Sequence, residues 1–246
     1  MYRFFVKPEQ LEEGMARITG GDVHHIRHVL RMRPGEEILL SCGDEWEYTC
    51  RIVSLEEQEI LAQIVDAQKP GKELPSKIYL FQCLPKGEKM EWIIQKAVEL
   101  GVYQIYPTVS SRCIMKLDRK KAANKTARWN AVAASAAKQS KRMIQPEVAE
   151  PCSFRQALET ASGLDIRLIP YERADGMQGT RKILERVRPG DSVGILIGPE
   201  GGFEEREVEQ AREAGFEPIT LGRRILRTET AGLTALSILM YLLEQD

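Results

Sequence analysis

The chain has 246 residues, 43% of them hydrophobic and 29% charged, with a formal net charge of −1. This length and composition suit one or two globular domains with a substantial core and exclude fibrous and disordered classes. No apolar run approaches the roughly 20 residues that span a bilayer, and the start Met1-Tyr2-Arg3-Phe4-Phe5-Val6 has no signal-peptide apolar stretch, so a cytoplasmic location without a membrane partner is expected.

In chain order, residues 2–6 read as a strand, and Asp22 is a plausible N-cap for a short helix over 23–32. Pro34-Gly35 turns the chain into three strand-like runs at 37–42, 45–53 and 59–66, which predict a small β-barrel. Residues 68–75 carry Pro70, Gly71 and Pro75 and lack an apolar period, so a first domain over 1–70 and a linker over 71–76 are expected. From 77 to 246 the rhythm changes. Strands at 78–84, 104–109 and 164–169 alternate with helices at 89–100, 118–141, 154–160, 180–187 and 231–243, which predicts an α/β domain with a mainly parallel sheet and flanking helices.

The cysteines Cys42, Cys50, Cys83, Cys113 and Cys152 are odd in number and form no C-x-x-C pair, so reduced, mostly buried thiols are expected. His24, His25 and His28 share the first helix, with His24 and His28 four residues apart. No third ligand accompanies them, so no metal is expected. Arg27, Arg31 and Arg33 interleave with these imidazoles, a pattern suited to phosphates and unpaired bases; the bland alternative is a solvated helix with one histidine packed inward. Arg112, Lys116, Arg119, Lys120, Lys121, Lys125, Arg128, Lys138, Lys141 and Arg142 face only Asp118 in charge, and this excess of one sign favours RNA over a merely solvated helix face. The expected RNA-binding set is Arg3, His24, Arg27, His28, Arg31 and Arg112.

Near the C-terminus the apolar run 195–197 breaks into Gly198-Pro199-Glu200-Gly201-Gly202, a position where ligands of open α/β sheets bind. The segment is neither a phosphate loop nor a dinucleotide fingerprint, and Pro199 lacks an N–H. A tight strand-to-helix turn, with Glu204 or Glu205 opening the helix, is the bland alternative. A second break, Leu221-Gly222, adds Arg223, Arg224, Arg227, Glu229 and Thr230 directly before an almost uncharged helix. Charge this dense beside an apolar helix points to chemistry on an anionic or polar substrate.

Ile197-Gly198-Pro199-Glu200-Gly201-Gly202-Phe203 together with Leu221-Gly222-x-Arg224-Ile225-Leu226-Arg227-x-Glu229-Thr230-Ala231 resembles the signature of the RsmE-type 16S ribosomal RNA uridine-N3 methyltransferases of the SPOUT superfamily. Lys89-Met90-Glu91-Trp92-Ile93-Ile94-Gln95-Lys96-Ala97-Val98-Glu99-Leu100-Gly101-Val102 resembles that family's first catalytic-domain helix, and Arg27-His28-Val29-Leu30-Arg31 with Pro34-Gly35 its PUA-like RNA-binding domain. The resemblance implies a SPOUT-type knotted α/β domain over 77–246 behind a PUA-like barrel. It also implies S-adenosyl-L-methionine held in a bent form, ribosomal RNA within an assembled small subunit as partner, and a homodimer.

By the same resemblance Ile197, Gly198, Leu221, Gly222, Ile225 and Leu226 hold the cofactor, with Pro199, Gly201 and Thr230 completing the expected set and a loop near Pro170-Tyr171-Glu172 as a third wall. Uridine N3 is a weak acid that must lose its proton before it attacks a methyl group. Arg227 is the candidate for stabilising the resulting anion, and Glu200 and Glu229 are candidate proton acceptors, unranked. For Glu229 a purely helix-opening role, with Thr228 as N-cap, stays open. So do another SPOUT specificity, such as a ribose 2′-hydroxyl or a different base, and a non-catalytic RNA-binding assembly factor.

Overall fold

A computed structural model describes residues 1–115, 118–174 and 176–244; Lys116 of the basic tract lies outside the described residues. The chain divides into two compact units, Met1–Glu73 with Ala137–Gln145, and Leu74–Ala136 with Pro146–Asp246.

The first unit contains β1 (Tyr2–Phe5), β2 (Leu11–Glu12), β3 (Met15–Thr19), the short helix α1 (Gly21–His24), β4 (Glu37–Ser41), β5 (Glu47–Leu55) and β6 (Glu59–Gln68). Its sheet runs β1-β4-β5-β6-β3-β2, a curled half-barrel of PUA type with β1 parallel to β4 and the other pairs antiparallel. Alternation places Ala16 and Ile18 of β3 and Ile38 and Leu40 of β4 in one core with Phe4, Ile52 and Ile60. The helix differs from the expected one. Gly20 rather than Asp22 precedes α1, which continues as a π-helical turn over His25–Val29, and Arg31 takes a positive φ of 54°. Asp22 instead faces Lys138, whose Nζ lies 2.6 Å from its carboxylate.

The second unit holds β7 (Lys77–Cys83), α2 (Lys89–Glu99), β8 (Gln104–Val109), α3 (Arg119–Gln139, whose last turn joins the first unit), β9 (Glu147–Val148), β10 (Cys152–Ser153), α4 (Phe154–Ala161), β11 (Ile166–Pro170), α5 (Gly176–Leu184), β12 (Ser192–Ile197), α6 (Glu205–Glu213), β13 (Glu217–Ile219) and α7 (Thr228–Leu243). All its strand pairs are parallel, in the order β10-β8-β7-β12-β11-β13, with β9 also on β8. Ile78, Leu80 and Phe81 of β7 and Val193, Ile195, Leu196 and Ile197 of β12 are buried, as strands covered on both faces require. From β7 the chain moves outward to β8 on one side, while β12 and β11 lie on the other. The carboxyl ends of β7 and β12 therefore form the switch point where an open α/β sheet binds ligands.

Candidate active site

Among the loops that leave the carboxyl edge of this sheet are 84–88 after β7, 171–174 after β11, 198–204 after β12 and 220–227 after β13. The loop after β12 is built to stay close to the sheet. A Cβ on Gly198 would stand 3.1 Å from the Phe203 ring, Gly202 has a φ of 65°, and the Gly202 N–H donates to Pro199 O at 2.9 Å. Arg112 Nη1 donates to Gly201 O at 2.7 Å, so this cation, expected on RNA, braces the glycine loop. Glu204 precedes α6, and Glu207 caps it by accepting the Glu204 N–H at 2.9 Å and the Ser111 N–H at 2.8 Å.

The loop after β13 starts at Thr220, whose N–H donates to Thr180 Oγ1 at 2.8 Å, and turns at Gly222 with a φ of 116°. A Cβ there would meet no atom within 4 Å, so an open space borders the Gly222 backbone. Arg223, Arg224 and Arg227 are exposed, and Leu221 and Leu226 are half-buried. Ile225 is 89% exposed, so this side chain, expected against a cofactor, covers nothing in the structure. The third loop is tied in by the Tyr171 N–H on Ile219 O at 2.9 Å and by Arg173 on Glu205 at 2.5 Å.

Arg227, not Thr228, occupies the cap position of α7. Thr228 is the first helical residue and is buried: its hydroxyl donates to Gly198 O at 2.6 Å and accepts from Gln82 Nε2 at 2.9 Å. This chain of bonds fixes the start of α7 to the ends of both β12 and β7. Thr230 lies on another face, where with Trp92, Leu233, Thr234, Ile238 and Tyr241 it lines a groove of about 460 Å³.

The two candidate acceptors differ in surroundings. Glu200 Oε1 accepts the Lys86 N–H at 3.0 Å and faces Lys89 Nζ at 3.3 Å. Burial works to raise its carboxyl, but the backbone N–H bonds and the Lys89 cation outweigh it and hold Glu200 below its ordinary value. Glu229 Oε2 faces the same Lys89 Nζ at 3.3 Å. Lys89, Gln82 and Thr228 are the residues that sequence reasoning missed as parts of the site. In the sequence Gln82 reads only as part of a strand, and Lys89 only as the start of the helix that resembles the family's first catalytic-domain helix.

Beside the loop after β12, the Cys113 thiol is lowered to about 6, chiefly by a hydrogen bond from Cys83 and, against burial, by Ser110, whose N–H and hydroxyl lie 3.4 Å from Sγ. Cys83 is fully buried, and burial foremost pushes its thiol well up. All five cysteines are free.

In the first unit, the His24 and His28 rings lie 4.8 Å apart, tilted by 38°, and line an open cleft with Arg27, Gly20, Glu57 and Gln58. His24, His25, His28 and Arg31 are exposed. Arg3 is a correction: it is 5% exposed, ion-paired to Glu47, and donates to Ser41 Oγ at 2.8 Å and toward Met143 Sδ at 3.2 Å. Its place on β1 points it into the unit, so RNA cannot reach it. The basic tract is likewise partly consumed. Arg128 pairs with Glu91 at 2.7 Å, Lys138 with Asp22, and Arg142 with Glu73 at 2.6 Å.

A family model described as an RNA methyltransferase domain matches residues 72–240, and one described as an RNA methyltransferase PUA domain matches residues 18–65. The chain is 39% identical to the ribosomal RNA small subunit methyltransferase E of Bacillus subtilis, covering 98% of this chain and 96% of that one. It is 36% identical to the protein of that name from Mesomycoplasma hyopneumoniae, covering 96% and 98%. The crystal structure of a ribosomal RNA small subunit methyltransferase E from Neisseria gonorrhoeae bound to S-adenosyl methionine matches with a TM-score of 0.83 at 36% identity, covering 98% of each chain.

Proposed function

Since the chain belongs to the ribosomal RNA small subunit methyltransferase E family, we propose that it transfers a methyl group from S-adenosyl-L-methionine to N3 of one uridine in 16S ribosomal RNA. The observation that carries this reading is the convergence, at the switch point of the parallel sheet, of two glycine loops with Arg227 and the carboxylates of Glu200 and Glu229.

The crevice suits the cofactor by its own chemistry. Open space beside the positive-φ backbone of Gly222, with the half-buried Leu221 and Leu226 in the same loop, offers amide groups for an adenine edge and apolar cover for its faces. In this reading Gly198, Pro199 and Gly201 of the loop after β12 are the facing wall, and the 171–174 loop after β11 the third. The bound cofactor supplies an electrophilic methyl on a sulfonium, so that the N3 lone pair forms the new N–C bond as the C–S pair returns to sulfur. Arg227, exposed at the mouth of α7, holds the uridine anion, and a carboxylate accepts the N3 proton. A knotted path of the C-terminal segment belongs to the same proposal.

RNA is gripped by the half-barrel unit, where His24, Arg27 and His28 line one cleft and Arg31, four residues beyond Arg27, adds an exposed cation. The groove beside Thr230, with Trp92, Tyr241 and Leu242 exposed, is the surface through which we expect two copies to pair. Action on an assembled small subunit in the cytoplasm completes the reading.

Purified protein, incubated with methyl-labelled S-adenosylmethionine and either small subunits or free 16S RNA, is expected to yield N3-methyluridine by nucleoside mass spectrometry. Label on a ribose 2′-oxygen or another base would replace the proposed specificity. Absence of cofactor binding by calorimetry would leave an RNA-binding assembly factor.

A further inference from the structure

Lys89 opens α2 at the end of the helix where the macrodipole disfavours a cation. Local helix energetics therefore do not account for it, and pairs between partly exposed charges contribute little stability. What distinguishes Lys89 is its geometry. Its ammonium lies 3.3 Å from Glu200 Oε1 and 3.3 Å from Glu229 Oε2, so that α2, the loop after β12 and the first turn of α7 meet at one charge. The two carboxylates are held differently. Glu200 also accepts the Lys86 N–H, which fixes it to the loop after β7. The Glu229 side chain is 15% exposed and reaches the bridge from the helix that Arg227 precedes.

We propose that Lys89 is a positioning residue for methyl transfer, holding the Glu229 carboxylate where it accepts the uridine N3 proton, with Glu200 as the anchored end of the bridge. This rests on the uridine-N3 reading above and ranks its two candidate acceptors. The charges arranged around Glu229 are Lys89 from α2, Glu200 across the same ammonium, and Arg227 two residues earlier on its own turn. The N3–H proton moves to Glu229, and the N3 pair forms the bond to the methyl carbon as the C–S bond breaks and its electrons return to sulfur; Lys89 takes no part in the proton transfer. An ammonium on a four-carbon stem can hold two carboxylates at once, and a guanidinium can take its place with its planar fork.

The test compares full-length wild type with Lys89→Met, Lys89→Arg, Glu229→Gln and the Lys89→Met/Glu229→Gln double variant, by steady-state methylation, calorimetry with S-adenosylmethionine, and thermal melting. Lys89→Met is expected to lower kcat by roughly 10–100-fold, part of what a positioned base supplies, while KM and affinity for the cofactor and the melting temperature stay as in wild type. Lys89→Arg is expected to regain most of that loss, and the double variant to be no slower than Glu229→Gln. Unchanged kcat in Lys89→Met, a loss confined to melting or cofactor affinity, or multiplying losses in the double variant would each overturn the bridge while leaving uridine methylation standing. A wild-type protein that forms no N3-methyluridine would overturn the uridine-N3 reading and the bridge with it.

Discussion

Arg3 illustrates how position within a strand decides what a cation does. On β1 its side chain enters the half-barrel, where Glu47, Ser41 and Met143 surround it. Without Arg3 the buried Glu47 keeps Lys72, at 2.9 Å, as its counter-charge, so Arg3→Ala is expected to cost about 1–3 kcal/mol of stability by chemical denaturation, with the cost seen equally in the absence of RNA. Arg227 is the opposite case, with its side chain exposed at the start of α7. Arg227→Ala is expected to keep wild-type melting and cofactor affinity and to lose at least ~100-fold in methylation; turnover at the wild-type rate would remove it from the mechanism. Cys113 offers a pH test. Its thiol, lowered to about 6, is ionised above that pH, whereas burial raises Cys50 to about 12. Alkylation by iodoacetamide, followed by peptide mass spectrometry, is expected to label Cys113 with a half-maximal rate near pH 6 and to spare Cys50. Of the side chains that meet at the Lys89 ammonium, Glu200 and Glu229 stand in contiguous motifs and are legible in sequence as candidates. Lys89 and Gln82 are not, because their roles arise where segments more than 100 residues apart meet.

At the scale of elements, long apolar runs were the easiest to read. The strands around Ile78 and Ile195 and the helix ending at Leu243 stand where their patterns place them. The short strands β2 and β3 were not read, since Leu11–Glu12 is only two residues long and Met15–Thr19 carries just two buried side chains. Thr228 looked like a cap because threonine before an acidic residue suits that position. In the fold it is pulled one step into α7 and buried, where its hydroxyl serves both Gly198 and Gln82. Thr228→Val keeps the shape and removes both bonds, leaving the half-buried Gly198 carbonyl without this donor and Gln82 Nε2 with only its bond to Cys83 O, so a loss of about 1–3 kcal/mol is expected. Cofactor affinity should fall with it, since Gly198 lines the proposed crevice. An unchanged melting curve would show that the α7 start is held by packing alone.

At the scale of the molecule, charge proved the least transparent feature of the sequence. The basic tract reads as one RNA-facing surface, yet Arg128, Lys138 and Arg142 are committed to Glu91, Asp22 and Glu73. Ala137–Gln145 clusters with the first unit, a return that no local pattern announces because its partners lie some 70 residues or more away. In the first unit we propose for RNA instead Arg27, which lines a cleft with His24 and His28, and the exposed Arg31. Arg27→Ala/Arg31→Ala is expected to weaken RNA binding and to reduce the salt slope by about 2, one for each phosphate left without its cation, without changing cofactor affinity. Tyr241→Glu, set in the exposed apolar groove, is expected to yield monomers by light scattering at micromolar concentration if this face joins two copies.

The central claim is that one uridine N3 in 16S ribosomal RNA is methylated by this chain, and mass spectrometry of that RNA from cells with and without the gene tests it most directly. Loss of one N3-methyluridine on deletion, restored by the wild-type gene but not by Arg227→Ala, is the expected result. Persistence of every N3-methyluridine in the deletion strain would contradict it.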